Sequence, residues 1–192
     1  MAYWFWIVVS YSFFGYLLER MFAKVTAAEK QVRKCLFLLP LCPVYGLAMG
    51  AYLALLPAGE GRFWVLALWG AAVVTGVEYL VHLFYDRVLH VRFWDYTGLW
   101  GSLQGRVCLP FTVAWGVLSA LGVLWVQPEL TALIARLPPA LTYAMALLLA
   151  ADAVLSWQVL RLHRDTELLS WRAAAAWLSE DGPPARPARP DR

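Results

Sequence analysis

Three acidic residues interrupt the long apolar segments of this 192-residue chain, namely Glu19, Glu78 and Asp152. The segments are about 20 residues long, which is the length that crosses a bilayer as a helix. At about 1.5 Å per residue, Glu78 and Asp152 would lie about 12 to 13 Å from the nearer polar end, and Glu19 about 7 Å. A carboxylate costs about 2.5 to 3.5 kcal/mol or more at the bilayer centre, so each should face protein and find a partner.

Candidate partners for these carboxylates are the cations Arg20, His82 and Arg106. Arg106 follows Gly105, which permits close backbone approach, and its guanidinium can hold a carboxylate through two hydrogen bonds. We expect it to pair with Glu78. The cluster has two interpretations: a cytoplasm-facing polar cavity for an ion or a small polar solute, or an internal ion-pair cluster that fixes helix register.

His82 follows Glu78 by four residues and so lies on the same helix face. This pair could begin a metal site or a proton relay. The chain has only three histidines, and the other two fall at segment ends. A metal site is therefore not expected, and no cofactor is predicted.

The composition is that of a polytopic membrane protein. Hydrophobic residues make up 61% of the chain, charged residues only 15%, and the mean hydropathy is +0.59. The net charge of +3 is small and the basic residues are dispersed, which excludes a nucleic-acid surface. Cys35, Cys42 and Cys108 lack metal-ligand spacing and are expected to be small buried hydrophobes.

The apolar segments predict an all-α membrane bundle of about five transmembrane helices, over residues 1–160. A cytoplasmic tail, residues 161–192, would hold an amphipathic helix near 168–178 and a disordered end. The five predicted spans are Ala2–Phe22, Cys35–Leu56, Phe63–Tyr85, Arg106–Val126 and Pro138–Leu160.

Small and polar residues form stripes on two of these helices. In a bilayer such stripes mark the faces that pack on other helices. Prolines near the start of the second span, Pro40 and Pro43, predict a broken or kinked beginning, with the alternative that they merely sit where a helix starts. The two stripes comprise Ser12, Gly15 and Glu19 in the first span, and Thr112, Gly116 and Ser119 in the fourth.

The distribution of basic residues indicates the orientation. If the N-terminus is outside, fourteen of the sixteen Lys and Arg residues are cytoplasmic, and only Arg62 and Arg136 are outside. This asymmetry follows the positive-inside rule for five spans, with a cytoplasmic C-terminus.

The loop between the third and fourth spans, here called the signature loop (residues 92–110), is unusually rich in glycine and aromatic residues. Trp94, Tyr96 and Trp100 are expected to anchor at the membrane interface, with ligand stacking as the alternative. Asp95 is expected to cap a helix or to accept hydrogen bonds from loop amides, ahead of catalysis.

The signature loop also carries a family resemblance. Trp94-Asp95-Tyr96, then Gln104-Gly105-Arg106-Val107-Cys108-Leu109 and Trp115-Gly116, resembles the W-D-Y-S, N-G-R-I-C-L and W-G core of the ABC-transporter type IV, or CmpB-like, membrane family. Similar pieces precede it in the same order, so the resemblance spans about residues 10–120. These pieces are Gly15-Tyr16-Leu17-Leu18-Glu19 and Pro40-Leu41-Cys42-Pro43-Val44-Tyr45-Gly46.

The resemblance implies a permease-type transport component in the cell membrane. The sequence has no Gly-x-x-x-x-Gly-Lys-Ser/Thr loop, so an ATPase would be a separate subunit, and five spans would require dimerisation. It also has no Gly-x-Ser-x-Gly elbow and no His-Glu-x-x-His motif, which argues against an enzyme. The alternatives are a non-transporting scaffold or regulatory protein and, less favoured, a membrane-embedded enzyme acting on lipid head groups.

Overall fold

A computed structural model describes residues 1–26, 36–169 and 175 of the protein. The described residues form five helices and no β-strand, which confirms the all-α prediction. Most residues of the predicted tail helix and all residues of the predicted disordered end lie outside the described part; Glu167–Leu169 forms a 3₁₀ turn, and residue 175 is helical. The five helices are α1 Ala2–Val25, α2 Pro43–Leu55, α3 Phe63–Leu89, α4 Leu109–Ile134 and α5 Pro139–His163.

Three of the helices, α3, α4 and α5, are long and apolar enough to cross a membrane. Helix α2 is apolar but has only 13 residues. Helix α1 has 24 residues and is rich in aromatic side chains. The length and apolar composition of these helices identify the chain as a membrane protein.

The second predicted span is shorter than expected. Helix α2 begins at Pro43, whose missing amide hydrogen is tolerated in a first turn, and residues 36–42 are not helical. The amide of Cys42 donates instead to the carbonyl of Ser12 in α1, at 3.0 Å. Pro43 therefore sits where the helix starts, which is the alternative interpretation of the two prolines, and the predicted start of the span at Cys35 falls outside the described residues.

The fourth predicted span is longer than expected. The sequence predicts an end at Val126, but α4 continues to Ile134. A proline inside a helix clashes with the carbonyl four residues earlier, and Pro128 would do so in a regular helix. A π-helical turn at Gly122–Val126 directly precedes it, and such turns relieve a disrupted hydrogen-bond ladder. Gln127 is then buried and accepts a hydrogen bond from the Tyr11 hydroxyl at 3.0 Å.

Both predicted small-residue stripes are helix contacts, as expected. In α1, Gly15 lies against the ring of Tyr45 so closely that a Cβ would overlap it. In α4, Gly116 lies against the backbone carbonyl of Ala67 in α3, where a Cβ would approach to 2.5 Å. These close approaches bring α1 onto α2 and α3 onto α4.

The bundle core lies among α1, α2, α3 and α4. Ile7, Tyr52 and Leu66 are fully buried, and the Tyr52 hydroxyl donates to the Leu66 carbonyl at 3.0 Å. Helix α5 packs at the edge of the bundle, where its Thr142 accepts from the indole of Trp6 in α1 at 2.9 Å. A cavity lies at the other end of α1, α2 and α3.

Candidate functional site

A cavity of about 300 Å³ lies among α1, α2, α3, the start of α4 and the signature loop. Two of the three predicted carboxylates line it, Glu19 from α1 and Glu78 from α3. Most of the remaining wall is apolar or aromatic. The aromatic side chains central to the wall are Tyr45, Trp94, Tyr96, Phe111 and Trp115.

Glu78 is buried at the wall of the cavity and accepts two hydrogen bonds. The Tyr96 hydroxyl donates to one carboxylate oxygen and the Trp115 indole to the other, both at 3.0 Å. Trp115 is one turn into α4 from Phe111, and Tyr96 comes from the signature loop. The carboxylate therefore ties α3 to α4 and to the loop.

Glu19 lines the cavity from α1 and accepts a hydrogen bond from the Tyr45 hydroxyl at 2.7 Å. Tyr45 can reach it because Gly15, one turn earlier on α1, leaves room for the tyrosine ring. Gly15 and Glu19 therefore both position the Tyr45 side chain: the glycine leaves room for its ring, and the carboxylate accepts its hydroxyl. Tyr45 and Gly46, which the sequence singled out at the start of α2, are both packed on α1.

The aromatic side chains contact one another as a continuous wall. Tyr96 stacks on Phe111 with ring centroids 4.9 Å apart, and Phe111 contacts Trp115 at 5.7 Å. The edge of Trp115 meets Tyr45 at 5.6 Å, with the two rings nearly perpendicular. The sequence did not single out Phe111 for this wall. Its spacing of four from Trp115 places both on one face of α4.

The signature loop is folded by its own hydrogen bonds. The Tyr96 amide donates to the Gly105 carbonyl at 2.8 Å, and the Trp94 indole donates to the Arg106 carbonyl at 2.9 Å. Gly105 has φ of 71°, and a Cβ there would lie 2.6 Å from oxygens of Asp95 and Thr97. Only glycine can adopt this positive φ and also leave space for these oxygens without strain.

Asp95 has a structural role in this loop. It accepts from the Thr97 hydroxyl at 2.6 Å and from the Thr97 amide at 2.8 Å, which is one of the roles expected from the sequence. These hydrogen bonds hold the pKa of the Asp95 carboxyl below its ordinary value, because they favour the ionised form. The third predicted anchor, Trp100, is 76% exposed, whereas Trp94 and Tyr96 line the cavity.

The predicted pairing of Arg106 with Glu78 is wrong. The Arg106 guanidinium lies 2.9 Å from Asp86, in the π-helical last turn of α3, and also bonds the side-chain oxygen of Gln104. It stands over the ring of Tyr79 at 5.5 Å. The physical reason is the path of the loop, which brings Arg106 back to the end of α3 and not to its middle.

His82 is buried beside the signature loop and does not line the cavity. Its Nε2 lies 3.1 Å from the Trp94 carbonyl oxygen, and its ring meets the Trp94 ring edge to face at 5.2 Å. A nitrogen facing a carbonyl oxygen must carry the proton. His82 therefore positions Trp94, which the sequence did not predict.

Asp152 does not join Glu19 and Glu78. Its two carboxylate oxygens accept from the amides of Leu38 and Leu39, at 2.8 and 2.6 Å, in the non-helical segment before α2. The next turn of α5 adds Ser156, whose hydroxyl oxygen accepts from the Phe37 amide at 2.8 Å. Asp152 thus lies apart from the other residues of the predicted cluster, because it satisfies backbone donors that have no helical partner.

No group of three or more His, Cys, Asp or Glu residues that could hold a metal ion occurs within residues 1–26 and 36–169. Cys42 and Cys108 are buried, as expected, and Cys35 is outside the described part. Chemically, the site is an aromatic cavity with two carboxylates in its wall.

A protein-family model matches most of the chain. It is described as "Putative ABC-transporter type IV" and matches residues 4–157, which include every residue of the cavity wall. No curated protein and no solved structure matches the chain significantly. Because the match covers most of the chain, including the signature loop on which the resemblance rested, the protein belongs to the family described as Putative ABC-transporter type IV.

Proposed function

We propose that this protein is the membrane-embedded, permease-type component of a transporter, driven by a separate ATPase subunit. The observation that carries the proposal is the cavity of about 300 Å³ between apolar helices, with Glu19 and Glu78 in its wall. Carboxylates at membrane depth commonly mark solute or ion pathways. The family to which the chain belongs supports a role in transport.

The proposed topology has five spans in the cell membrane, with the N-terminus outside. Fourteen of sixteen basic residues then lie on the cytoplasmic side. Residues 1–160 are the transmembrane domain, and residues 161–192 are a cytoplasmic tail. In this orientation the signature loop is cytoplasmic, and the cavity beneath it lies in the cytoplasmic half of the membrane.

Energy must come from another polypeptide, because the sequence has no phosphate-binding loop of the ATPase type. Five spans are few for a complete pathway, so we propose that two copies of the chain assemble with the ATPase. The surrounding lipid bilayer is the other partner, and nucleic acid has no role.

A membrane-embedded enzyme for lipid head groups is the second candidate. It is favoured by the same two carboxylates, which could act as general acid and base at one cavity. A pure scaffold is less well supported, since a scaffold has no need of a cavity lined by carboxylates.

The test is purification of the tagged full chain from its native membranes, followed by reconstitution in liposomes. We expect an ATPase subunit to co-purify and the complex to hydrolyse ATP, whereas the chain alone does not. Replacement of Glu78 by Gln should lower ATP-driven uptake, and the same change at the exposed Glu129 should not. If the purified chain chemically alters lipid head groups without ATP, the transport proposal is wrong and the chain is an enzyme.

A further inference from the structure

We propose that the cavity opens sideways into the bilayer, between α1 and α4, and takes up one hydrocarbon chain of a membrane lipid. This inference rests on the proposed function, because it names a chain-bearing amphiphile as the class of solute and the bilayer as its route of entry. The opening is here called the lateral window. It is bordered by Leu18 and Phe22 of α1 and by Ala114 and Leu118 of α4.

The mouth of the cavity is marked by exposed wall residues. Phe22 of α1 and Leu118 of α4 line the cavity and are 45% and 42% exposed. The other described residues of the wall are half-buried or buried. A side chain that lines a cavity and is also exposed lies at its opening, so the opening is between α1 and α4.

Two contacts between α1 and α4 frame the lateral window. At one end, the rings of Phe22 and Phe111 meet edge to face, with centroids 6.0 Å apart. At the other end, the Tyr11 hydroxyl donates to the side-chain oxygen of Gln127 at 3.0 Å and lies 3.5 Å from the Gly122 carbonyl oxygen. Eleven residues separate the two contact points on each helix, which is about 16 Å along the axis.

Between these two contacts, each helix packs closely on a different neighbour. Gly15 brings α1 against Tyr45 of α2, and Gly116 brings α4 against Ala67 of α3. The faces of α1 and α4 that look toward the cavity are therefore held apart over the middle of this stretch. The lateral window is the resulting gap.

The lateral window lies at membrane depth. Helix α4 is long and apolar enough to cross a membrane, and Leu118 is nine residues from its start at Leu109, about 13 Å along the axis. A solute from water would have to pass through hydrocarbon to reach this side of the cavity. A lipid chain is already there.

The wall behind the lateral window suits a hydrocarbon chain. Ala48 of α2 and Val74 of α3 line it, together with the aromatic side chains. An apolar void forfeits dispersion contacts on its lining atoms, and a chain that enters restores them. A volume of about 300 Å³ is at the lower end of small-molecule sites, so the cavity suits a single chain and not a whole two-chain lipid.

The test uses the full chain in phosphatidylcholine liposomes that contain a small fraction of phosphatidylcholine with a diazirine near the end of one acyl chain. Light attaches the chain to the side chains beside it, and mass spectrometry locates the adducts. We expect adducts on Ala48 and Glu78, which line the cavity and are buried. Leu147 of α5 is exposed and outside the cavity, so it should be labelled in any case and serves as the reference.

Two variants of the lateral window should have opposite effects. Leu118→Trp narrows the opening, and an overpacking cost of about 1.4 kcal/mol would lower labelling of Glu78 about tenfold relative to Leu147. Phe22→Ala removes one ring of the pair that closes the window end, so it should raise labelling of Glu78. A folding defect would not change labelling in opposite directions at the same site.

Matched controls make the same changes at exposed residues outside the cavity. These are Leu147→Trp on α5, with Ala48 and Glu78 compared against the wild-type chain, and Phe13→Ala on α1. Neither should alter labelling of the cavity wall.

Three outcomes would overturn the proposal. The first is labelling of Leu147 without any adduct on Ala48 or Glu78. The second is labelling of Glu78 that Leu118→Trp does not lower. The third is an adduct on Glu78 from a water-soluble sulfonated aryl diazirine and none from the lipid probe, which would mean that the cavity takes its solute from water. Labelling needs neither ATP nor an ATPase subunit, so failure to find an ATPase would contradict the proposed function and not the lateral window.

Discussion

The guanidinium of Arg106 lies 2.9 Å from Asp86, and Glu78, eight residues earlier on the same helix, is left with the hydroxyl of Tyr96 and the indole of Trp115. The end of α3 thus holds an ion pair, whereas its middle holds a carboxylate bonded to neutral donors. Arg106 thus belongs to the junction of α3 with the signature loop, and Glu78 belongs to the cavity wall.

The Arg106 and Asp86 side chains should be coupled in stability. They are only 9% and 19% exposed, so Asp86→Asn leaves the Arg106 guanidinium partly desolvated and without its ionic partner, whereas Arg106→Gln leaves Asp86 with Arg92, at 3.0 Å, as its remaining cation. We expect each change to cost about 1 to 3 kcal/mol, below the 3 to 5 kcal/mol of a fully buried pair. The double variant should recover part of this loss, as measured by thermal unfolding in detergent.

Glu78 supplies the control for that cycle. Because it does not contact Arg106, Glu78→Gln and Arg106→Gln should add to within about 0.5 kcal/mol. A coupling energy well above this value would mean that the two charges interact after all.

The order of helices and their contact faces could be predicted from the sequence, because apolar length and small-residue spacing are local signals. The groups that pair with each other across a loop could not be predicted from the sequence. Asp86 ends an apolar segment and so resembles an ordinary interface residue, and nothing local shows that Arg106 folds back to it. The sequence alone does not separate Asp152 from Glu19 and Glu78, because the amides of Leu38 and Leu39 that bind it are backbone groups with no side-chain signature.

Two glycines provide a matched test of helix packing. Gly15→Ala should lower the melting temperature, because a Cβ there overlaps the ring of Tyr45. Gly76→Ala should leave stability equal or slightly raised, since nothing lies within 4 Å of its Cβ position and alanine favours a helix by about 1 kcal/mol. Equal melting temperatures for both variants would contradict the close contact of α1 with α2.

The proposed topology can be mapped with reporters. A cytoplasmic reporter should be active after Arg192 and near Leu99, whereas one near Gly59 should report the outside. Arg136, in the short connection between α4 and α5, should also be outside, since α4 continues through the Gln127 region that the sequence alone would have assigned to a link. Cytoplasmic labelling at Gly59 would end the five-span proposal.

The connection between α2 and α3 has its own pH dependence. Glu60 accepts hydrogen bonds from the amide and guanidinium of Arg62, and these lower its pKa from an ordinary 4.5 to about 2. A depressed carboxyl pKa stabilises the folded state above pH 4.5, and this contribution is lost as the pH falls toward 2. Carbon NMR of labelled glutamate should show the low pKa, and Arg62→Gln should return it toward 4.5. A wild-type value near 4.5 would show that the bridge is not formed in solution.

The last prediction concerns the segment before α2. Asp152 accepts the amides of Leu38 and Leu39 with separate oxygens, and is itself fully buried. Asparagine offers one acceptor oxygen and turns an NH₂ group toward the second amide, which leaves that donor unsatisfied. We therefore expect Asp152→Asn to cost about 1 to 3 kcal/mol and to speed hydrogen exchange at both leucine amides.

Glu129→Gln is again the control, because it removes a carboxylate from an exposed position. If Asp152→Asn melts like that control and the exchange rates at Leu38 and Leu39 do not change, the carboxylate does not hold the segment. If exchange increases while Glu78→Gln leaves it unchanged, the two carboxylates act independently. That independence follows from their separate hydrogen-bond partners.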